Sequence, residues 1–419
     1  MKDNRSGILV FVERPPFSES SESLVEETIE IARSAGRSIA LVVPCRVRTP
    51  FPRYYLSKGK VEEIRELVAA HAPDFVLINV EITPSQQRNL EEVWGIPVCT
   101  KQAVIHEIFA QRARTAQGKI KVELARLRYE LSRLTGKGTE LSRTGGGIGT
   151  RGPGEQKIEV ERRKIKDRIA FLTRELRRTE QQTFTQKSLR RKLGALQVAI
   201  VGYTNAGKST LMNALTGSRV YAEARMFATL DPTSRRLFVP GIGDVILIDT
   251  VGFIREMPET LKDAFRSTLE EVKEADVILE VIDVADPDYV NHFRVVSETL
   301  REIGAENLPK ILVLNKVDLL EELPLLEYDM RTAHPYVFVS AKKKIGLDRL
   351  LEAIAQALQP KVAEVHLEVA PEQLPLVRQR LSFRGYIRHF EPLENGRIAL
   401  DCVVQREFLA RLHTLVVSR

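Results

Sequence analysis

Short apolar runs and amphipathic stretches take turns through the first hundred residues. Ile8–Val12, Ile39–Val43 and Phe75–Val80 are almost wholly apolar, whereas Ser23–Ala35, Lys60–His71 and Ser85–Trp94 set apolar residues at helical spacing among polar ones. Runs of the first kind suit strands buried on both faces, and runs of the second kind suit helices with one packed face. Their alternation predicts a small parallel sheet with helical crossovers.

From about Val104 to Thr185 the pattern lengthens into helix. Ile120, Leu124, Leu127, Leu131 and Leu134 recur at four-three spacing, and Ile165, Ile169, Leu172 and Leu176 do the same, so each helix carries one narrow apolar seam. Two such seams predict an antiparallel hairpin. The connection between them, residues 136–154, holds eight glycines in nineteen residues and includes Gly145-Gly-Gly-Ile-Gly-Thr-Arg-Gly-Pro-Gly-Glu155. Glycine at this density lets the main chain approach a ligand closely, and Arg143 and Arg151 stand within it to meet phosphate, so it reads as an RNA-contact loop.

Alternating strands and helices return from Leu196 to about Leu358. Beyond Pro360, Val365, Leu367 and Val369 alternate with polar residues, as do Ile398, Leu400, Cys402 and Val404, and Glu407–Leu415 has helical spacing. The expected organisation is an α/β subdomain at 1–103, the helical hairpin at 104–194, a Rossmann-like parallel-sheet domain at 195–360 and a small α+β domain of split β-α-β type at 361–419.

Composition narrows the setting. Cys45, Cys99 and Cys402 lie far apart, with no spacing that suggests zinc or a disulfide framework, so a reducing cytoplasm is the expected location. No apolar run approaches the roughly eighteen residues of a membrane span. The formal net charge is +7, and between Gln156 and Leu196 thirteen Lys and Arg face five Asp and Glu. Basicity is therefore a property of one segment, and with no lipidation motif the polyanion it favours is nucleic acid.

The chemistry lies between residues 202 and 342. A strand at Gln197–Val201 runs into Gly202-Tyr203-Thr204-Asn205-Ala206-Gly207-Lys208-Ser209-Thr210, and a helix comes next. In that context the backbone N–H groups of the loop and the helix N-terminus surround phosphates, Lys208 reaches the β and γ oxygens, and the Ser209 hydroxyl ligates Mg²⁺. Asp249, at the end of the strand Val245–Ile248, is a second Mg²⁺ residue, and Gly252 three positions later offers its N–H to a γ-phosphate. Asn315, Lys316 and Asp318 come after a third strand: Asp318 accepts from guanine N1–H and N2 together, Asn315 braces the phosphate loop, and Lys316 lies along the base. Ser340, Ala341 and Lys342 complete the base pocket, with the Ala341 N–H directed at guanine O6. This order of signals favours GTP over ATP.

Thr229, in Phe227-Ala-Thr-Leu-Asp-Pro-Thr233, is the candidate switch threonine for Mg²⁺ and the γ-phosphate. Phe253 occupies the position where many GTPases carry a glutamine that orients the attacking water, so hydrolysis by the chain alone is expected to be slow. Asn205 stands where potassium-activated relatives ligate K⁺, which makes K⁺ a second candidate cation.

Together these residues resemble the HflX family of ribosome-associated GTPases. The motifs that carry the likeness are Gly146-Gly-Ile-Gly-Thr-Arg-Gly-Pro-Gly-Glu155, Ile108-Phe-Ala-Gln-Arg-Ala113, the phosphate loop, Phe227–Thr233 and Asp249-Thr-Val-Gly-Phe-Ile254. The resemblance implies an N-terminal α/β domain with a helical hairpin, a GTPase domain, and binding to the large ribosomal subunit and its 23S rRNA. It also implies a role in splitting or rescuing stalled ribosomes under stress, and the chain is read as monomeric. An RNA-binding assembly or storage factor, with nucleotide mainly structural, is the alternative. Ser57-Lys-Gly-Lys60 and Thr100-Lys-Gln102 depart from the family's usual motifs, and no second nucleotide site is assigned to the N-terminal region.

Overall fold

A computed structural model describes residues 5–15, 21–141, 153–217, 233–255, 261, 271–327, 330, 334–381 and 384–409. The chain forms two compact units, one built mainly from Met1–Glu180 and the other mainly from the chain beyond Gln181.

The first unit is built on strands Arg5–Glu13 (β1), Arg37–Arg46 (β2), Phe75–Ile78 (β3) and Val98–Thr100 (β4), in the order β2-β1-β3-β4 and all parallel. Helices Ser21–Ser34 (α1), Lys58–His71 (α2) and Pro84–Trp94 (α3) make the crossovers. The β3 run Phe75–Ile78 is buried throughout, as a strand covered on both faces requires. Helix α3 begins where its sequence says it should: Thr83 and Gln86 form a reciprocal capping box, with Pro84 in the first turn. Its last residue, Trp94, is buried and donates from Nε1 to the Val61 carbonyl of α2 at 3.0 Å. The three-residue β4 escapes the sequence pattern because it is too short to show one.

Thr100 then caps helix Lys101–Arg112 (α4), whose Lys101 makes a 2.7 Å ion pair with Glu27 of α1, both side chains buried. Helices Ala116–Leu141 (α5) and Pro153–Leu193 (α6) come next. The two seams meet as expected: Leu124, Leu127 and Leu172 are buried together, with Ile120, Ile165, Ile169 and Leu176 packed around them. Arg168 and Glu123 bridge the hairpin at 2.8 Å. Arg143, Arg151 and the glycine-rich stretch 142–152 lie outside the described residues.

The second unit has a six-stranded sheet of Leu196–Gly202 (β5), Thr233–Val239 (β6), Gly243–Asp249 (β7), Val277–Asp283 (β8), Lys310–Asn315 (β9) and Tyr336–Phe338 (β10). Its order is β10-β9-β8-β5-β7-β6, parallel except for the antiparallel edge strand β6. Helices Lys208–Thr216 (α7), Tyr289–Glu302 (α8) and Leu347–Leu358 (α9) belong to it. The carboxyl ends of β5, β7, β8 and β9 carry Gly202, Asp249, Asp283 and Asn315, the edge at which open α/β sheets bind ligands.

Strands Val362–Val369 (β11), Gly385–Pro392 (β12) and Ile398–Gln405 (β13), with helix Leu374–Leu381 (α10), make the last module. Antiparallel β13 lies between β11 and β12, which is the split β-α-β arrangement. Val362 and Val403 join the core of the six-stranded sheet, and Tyr386 packs edge-on against Phe238 of β6 at 5.5 Å. No helix among the described residues is long and apolar enough to cross a membrane.

Candidate functional site

Buried β5 (Leu196–Gly202) delivers the chain into a tight loop, and α7 starts at Lys208 immediately after it. Two positions in the loop need unusual backbone. Asn205 takes φ 62°, a left-handed conformation that asparagine tolerates better than most residues. Gly207 takes φ 94°, and a Cβ there would lie 2.3 Å from Asn315 Nδ2, so only glycine lets the loop close on β9. Asn315 donates from Nδ2 to the Ala206 carbonyl at 2.8 Å, which is the brace its sequence position predicts.

Lys208 is buried at the first position of α7 and donates to the Gly202 and Tyr203 carbonyls at 3.1 and 2.8 Å. Burial lowers its ammonium to about 8, against the opposing pull of Asp249. A buried ammonium suits an anion, whose charge offsets the cost of its burial. Ser209 donates its hydroxyl to Asp249 Oδ2 at 2.7 Å, so the two hard oxygen donors expected to share a cation already touch. Gly252 lies alongside: a Cβ on it would stand 2.9 Å from Lys208 Nζ and 2.9 Å from Thr204 Cγ2. Among the described residues the buried Thr204 hydroxyl has no hydrogen-bond partner, which leaves it available to a ligand oxygen. Thr210 is half-buried in the first turn of α7.

The base side is assembled from β9 and the turn after β10. Asp318 accepts from the Ser340 hydroxyl at 2.6 Å, and this bond is the main cause holding its carboxyl below the usual range. An ionised carboxylate, accepting only, is what a pair of guanine N–H donors requires. Lys316 sits at φ 68° and pairs with Asp283 at 2.5 Å, so its stem is held at the pocket. The Ala341 N–H donates to Asn315 Oδ1 at 3.0 Å. Lys342 is exposed next to it. Thr229 lies outside the described residues.

Phe253 departs most from a glutamine-bearing site. It is buried with Tyr203, Val272, Ala275 and Ile278, its main chain forming a parallel bridge with Tyr203. The position is thus occupied by a core side chain. No pattern along the chain signals the group around it: Tyr203 stacked on His292, and Arg255 paired with Asp288. Those partners are 33 to 89 residues apart with no shared periodicity, so only the fold brings them together.

Comparison with known proteins points to one family. Three family models match in succession: "GTP-binding GTPase N-terminal" at residues 22–110, "GTP-binding GTPase Middle Region" at 112–190 and "50S ribosome-binding GTPase" at 197–316. A curated GTPase HflX from Caldanaerobacter subterraneus is 43% identical over 417 residues, covering 100% of this chain and 95% of that protein. GTPase HflX of Escherichia coli is 41% identical over 350 residues, 83% of this chain and 82% of that protein. Among solved structures, SsGBP in complex with GDP is similar at 25% identity, covering 85% of this chain and 99% of that one, with a TM-score of 0.46. With relatives matched at this identity along nearly the whole sequence, and the phosphate loop, Asp249–Gly252 and Asn315–Asp318 assembled on one sheet edge, the chain belongs to the HflX family of GTPases.

Proposed function

We propose that the chain is a GTP-hydrolysing switch that binds the large ribosomal subunit through its basic helical hairpin. The observation that carries the nucleotide reading is the Asn315 side chain. It ties the phosphate loop at Ala206 to the base-side turn at Ala341, so phosphate and base recognition are joined through one side chain. Ser209 and Asp249 offer the hard oxygen donors that Mg²⁺ takes, and Thr229 is the third candidate. When bound, the ion would neutralise charge on the β- and γ-phosphates. Lys208 would hold those phosphates from the loop side, Thr204 and Gly252 would meet the terminal one, and Asp318 would select guanine. With Phe253 in the core, this chain supplies no glutamine at the water-orienting position, so the isolated protein turns over slowly.

Support for the RNA partner comes from α6. Arg163, Lys164, Lys166, Arg168, Arg174, Arg177 and Arg178 are all exposed along it. Helical basic faces of this kind bind phosphate backbones and lose affinity as salt rises. The description of the matched central family model, a 50S ribosome-binding GTPase, points to the same partner. Relief of stalled ribosomes is the cellular role this reading favours.

The test is hydrolysis by the full chain in potassium buffer, with and without purified large subunits. Stimulation by at least about tenfold is expected, together with cosedimentation that is stronger with a non-hydrolysable GTP analogue than with GDP. An unchanged rate, and equal cosedimentation with both nucleotides, would leave an RNA-binding scaffold with structural nucleotide as the better account.

A further inference from the structure

The segment after Gly252 is fastened to the phosphate loop by more than its strand end requires. Phe253 N–H donates to the Gly202 carbonyl at 3.1 Å, and the Phe253 carbonyl accepts from Thr204 N–H at 2.8 Å. Two residues further on, Arg255 N–H donates to the Tyr203 hydroxyl at 2.9 Å. The Tyr203 ring lies flat against His292 of α8, with centroids 3.9 Å apart and planes at 12°. The Arg255 guanidinium pairs with Asp288, which immediately precedes α8. Both side chains of that pair are largely buried, at 14% and 11% exposure.

Those two backbone hydrogen bonds hold the segment only as far as Phe253, and each is modest in net worth. A stacked ring and a shielded ion pair, both anchored at the start of one helix, hold it far better. Tyr203 has two roles at once: its main chain is part of the phosphate loop, and its side chain grips the segment beyond Gly252.

We propose that Tyr203, Arg255 and Asp288 are positioning residues that clamp Gly252–Arg255 against the phosphate loop and the start of α8. Gly252 is then presented to the terminal phosphate from a fixed place. Phe253 stays in the core in both nucleotide states. This rests on the site being a GTP site, as proposed above.

Tyr203→Phe tests it most gently, since the ring and its stacking remain and only the hydroxyl is lost. Arg255→Met with Asp288→Asn removes the ion pair without leaving a buried charge alone. Affinities for GDP and for a non-hydrolysable GTP analogue are measured on each full-length protein, with hydrogen exchange of the peptide covering 250–255. For Tyr203→Phe, the ratio of analogue to GDP affinity should fall about two- to tenfold, the range of one hydrogen bond. The double variant should lose at least about tenfold for the analogue alone, and both should exchange faster in that peptide. An unchanged analogue-to-GDP ratio in both variants overturns the clamp, as does an equal loss for both nucleotides. Failure of the wild-type chain to bind either nucleotide would instead remove the GTP reading on which the clamp depends.

Discussion

Asp318→Asn should lower GTP affinity by about a thousandfold and raise affinity for xanthosine triphosphate in its place. The carboxylate accepts from both the N1–H and the N2 amine of guanine, and an asparagine amide turns one of those acceptors into a donor facing another donor. Xanthine carries a carbonyl at C2, so the same amide then finds a matching acceptor. Ser340 donates to Asp318 in the structure and can donate to the asparagine oxygen as well, so the turn that carries the residue should persist. Competition binding with GTP and xanthosine triphosphate reads the exchange directly. A variant that binds GTP as tightly as wild type would mean that Asp318 does not read the base.

The second large effect concerns stability. Glu280, in the middle of β8, is fully buried, and among the described residues neither carboxylate oxygen has a hydrogen-bond partner. Its in-register neighbours are Val201 and Leu312, and Ile278 and Ile282 flank it on the same face of the strand. Burial raises its carboxyl to about 8, only partly offset by Lys310. A carboxyl raised from its ordinary value of 4.5 binds a proton in the folded state that the unfolded chain has released. Stability from this group is therefore full below pH 4.5 and is lost progressively as pH rises to about 8. At about 1.4 kcal/mol per pH unit, the loss between pH 5 and 8 is roughly 4 kcal/mol. Glu280→Leu should abolish that slope and raise the melting temperature at pH 8. Glu280→Gln should abolish the slope with a smaller gain, since its amide remains unsatisfied. Melting curves at pH 5, 6, 7 and 8 check this, and a wild-type slope retained in Glu280→Leu would place the titration elsewhere.

Much of the architecture is legible in periodicity, because burial imposes it. The paired seams of α5 and α6 stand where four-three spacing puts them, since a helix packed along one stripe must repeat near 3.5. Strand β12 escapes the pattern for the opposite reason. It is an edge strand whose second half is exposed, so Arg388, His389 and Phe390 obey no alternation. The nucleotide motifs are readable because each strand of a parallel sheet ends in the residue it presents, and so the chemistry sits at fixed offsets from apolar runs. Glu280 is not, because one carboxylate in Val277–Asp283 reads as a small lapse in an apolar run and gives no hint that it is fully buried. The grouping of Tyr203, Arg255, Asp288 and His292 is a property of the fold alone. That Phe253 cannot orient water is plain from its side chain, but that its ring fills the core beside Tyr203 and Val272 emerges only from the bridge its main chain makes.

A guanine-specific triphosphate site at the carboxyl edge of the six-stranded sheet is the claim on which the rest depends. Isothermal titration of the full-length chain with GTP, GDP and ATP in the presence of Mg²⁺ addresses it most directly. The prediction is one site per chain for both guanine nucleotides, with ATP weaker by at least about a hundredfold. Equal affinity for ATP and GTP would contradict it.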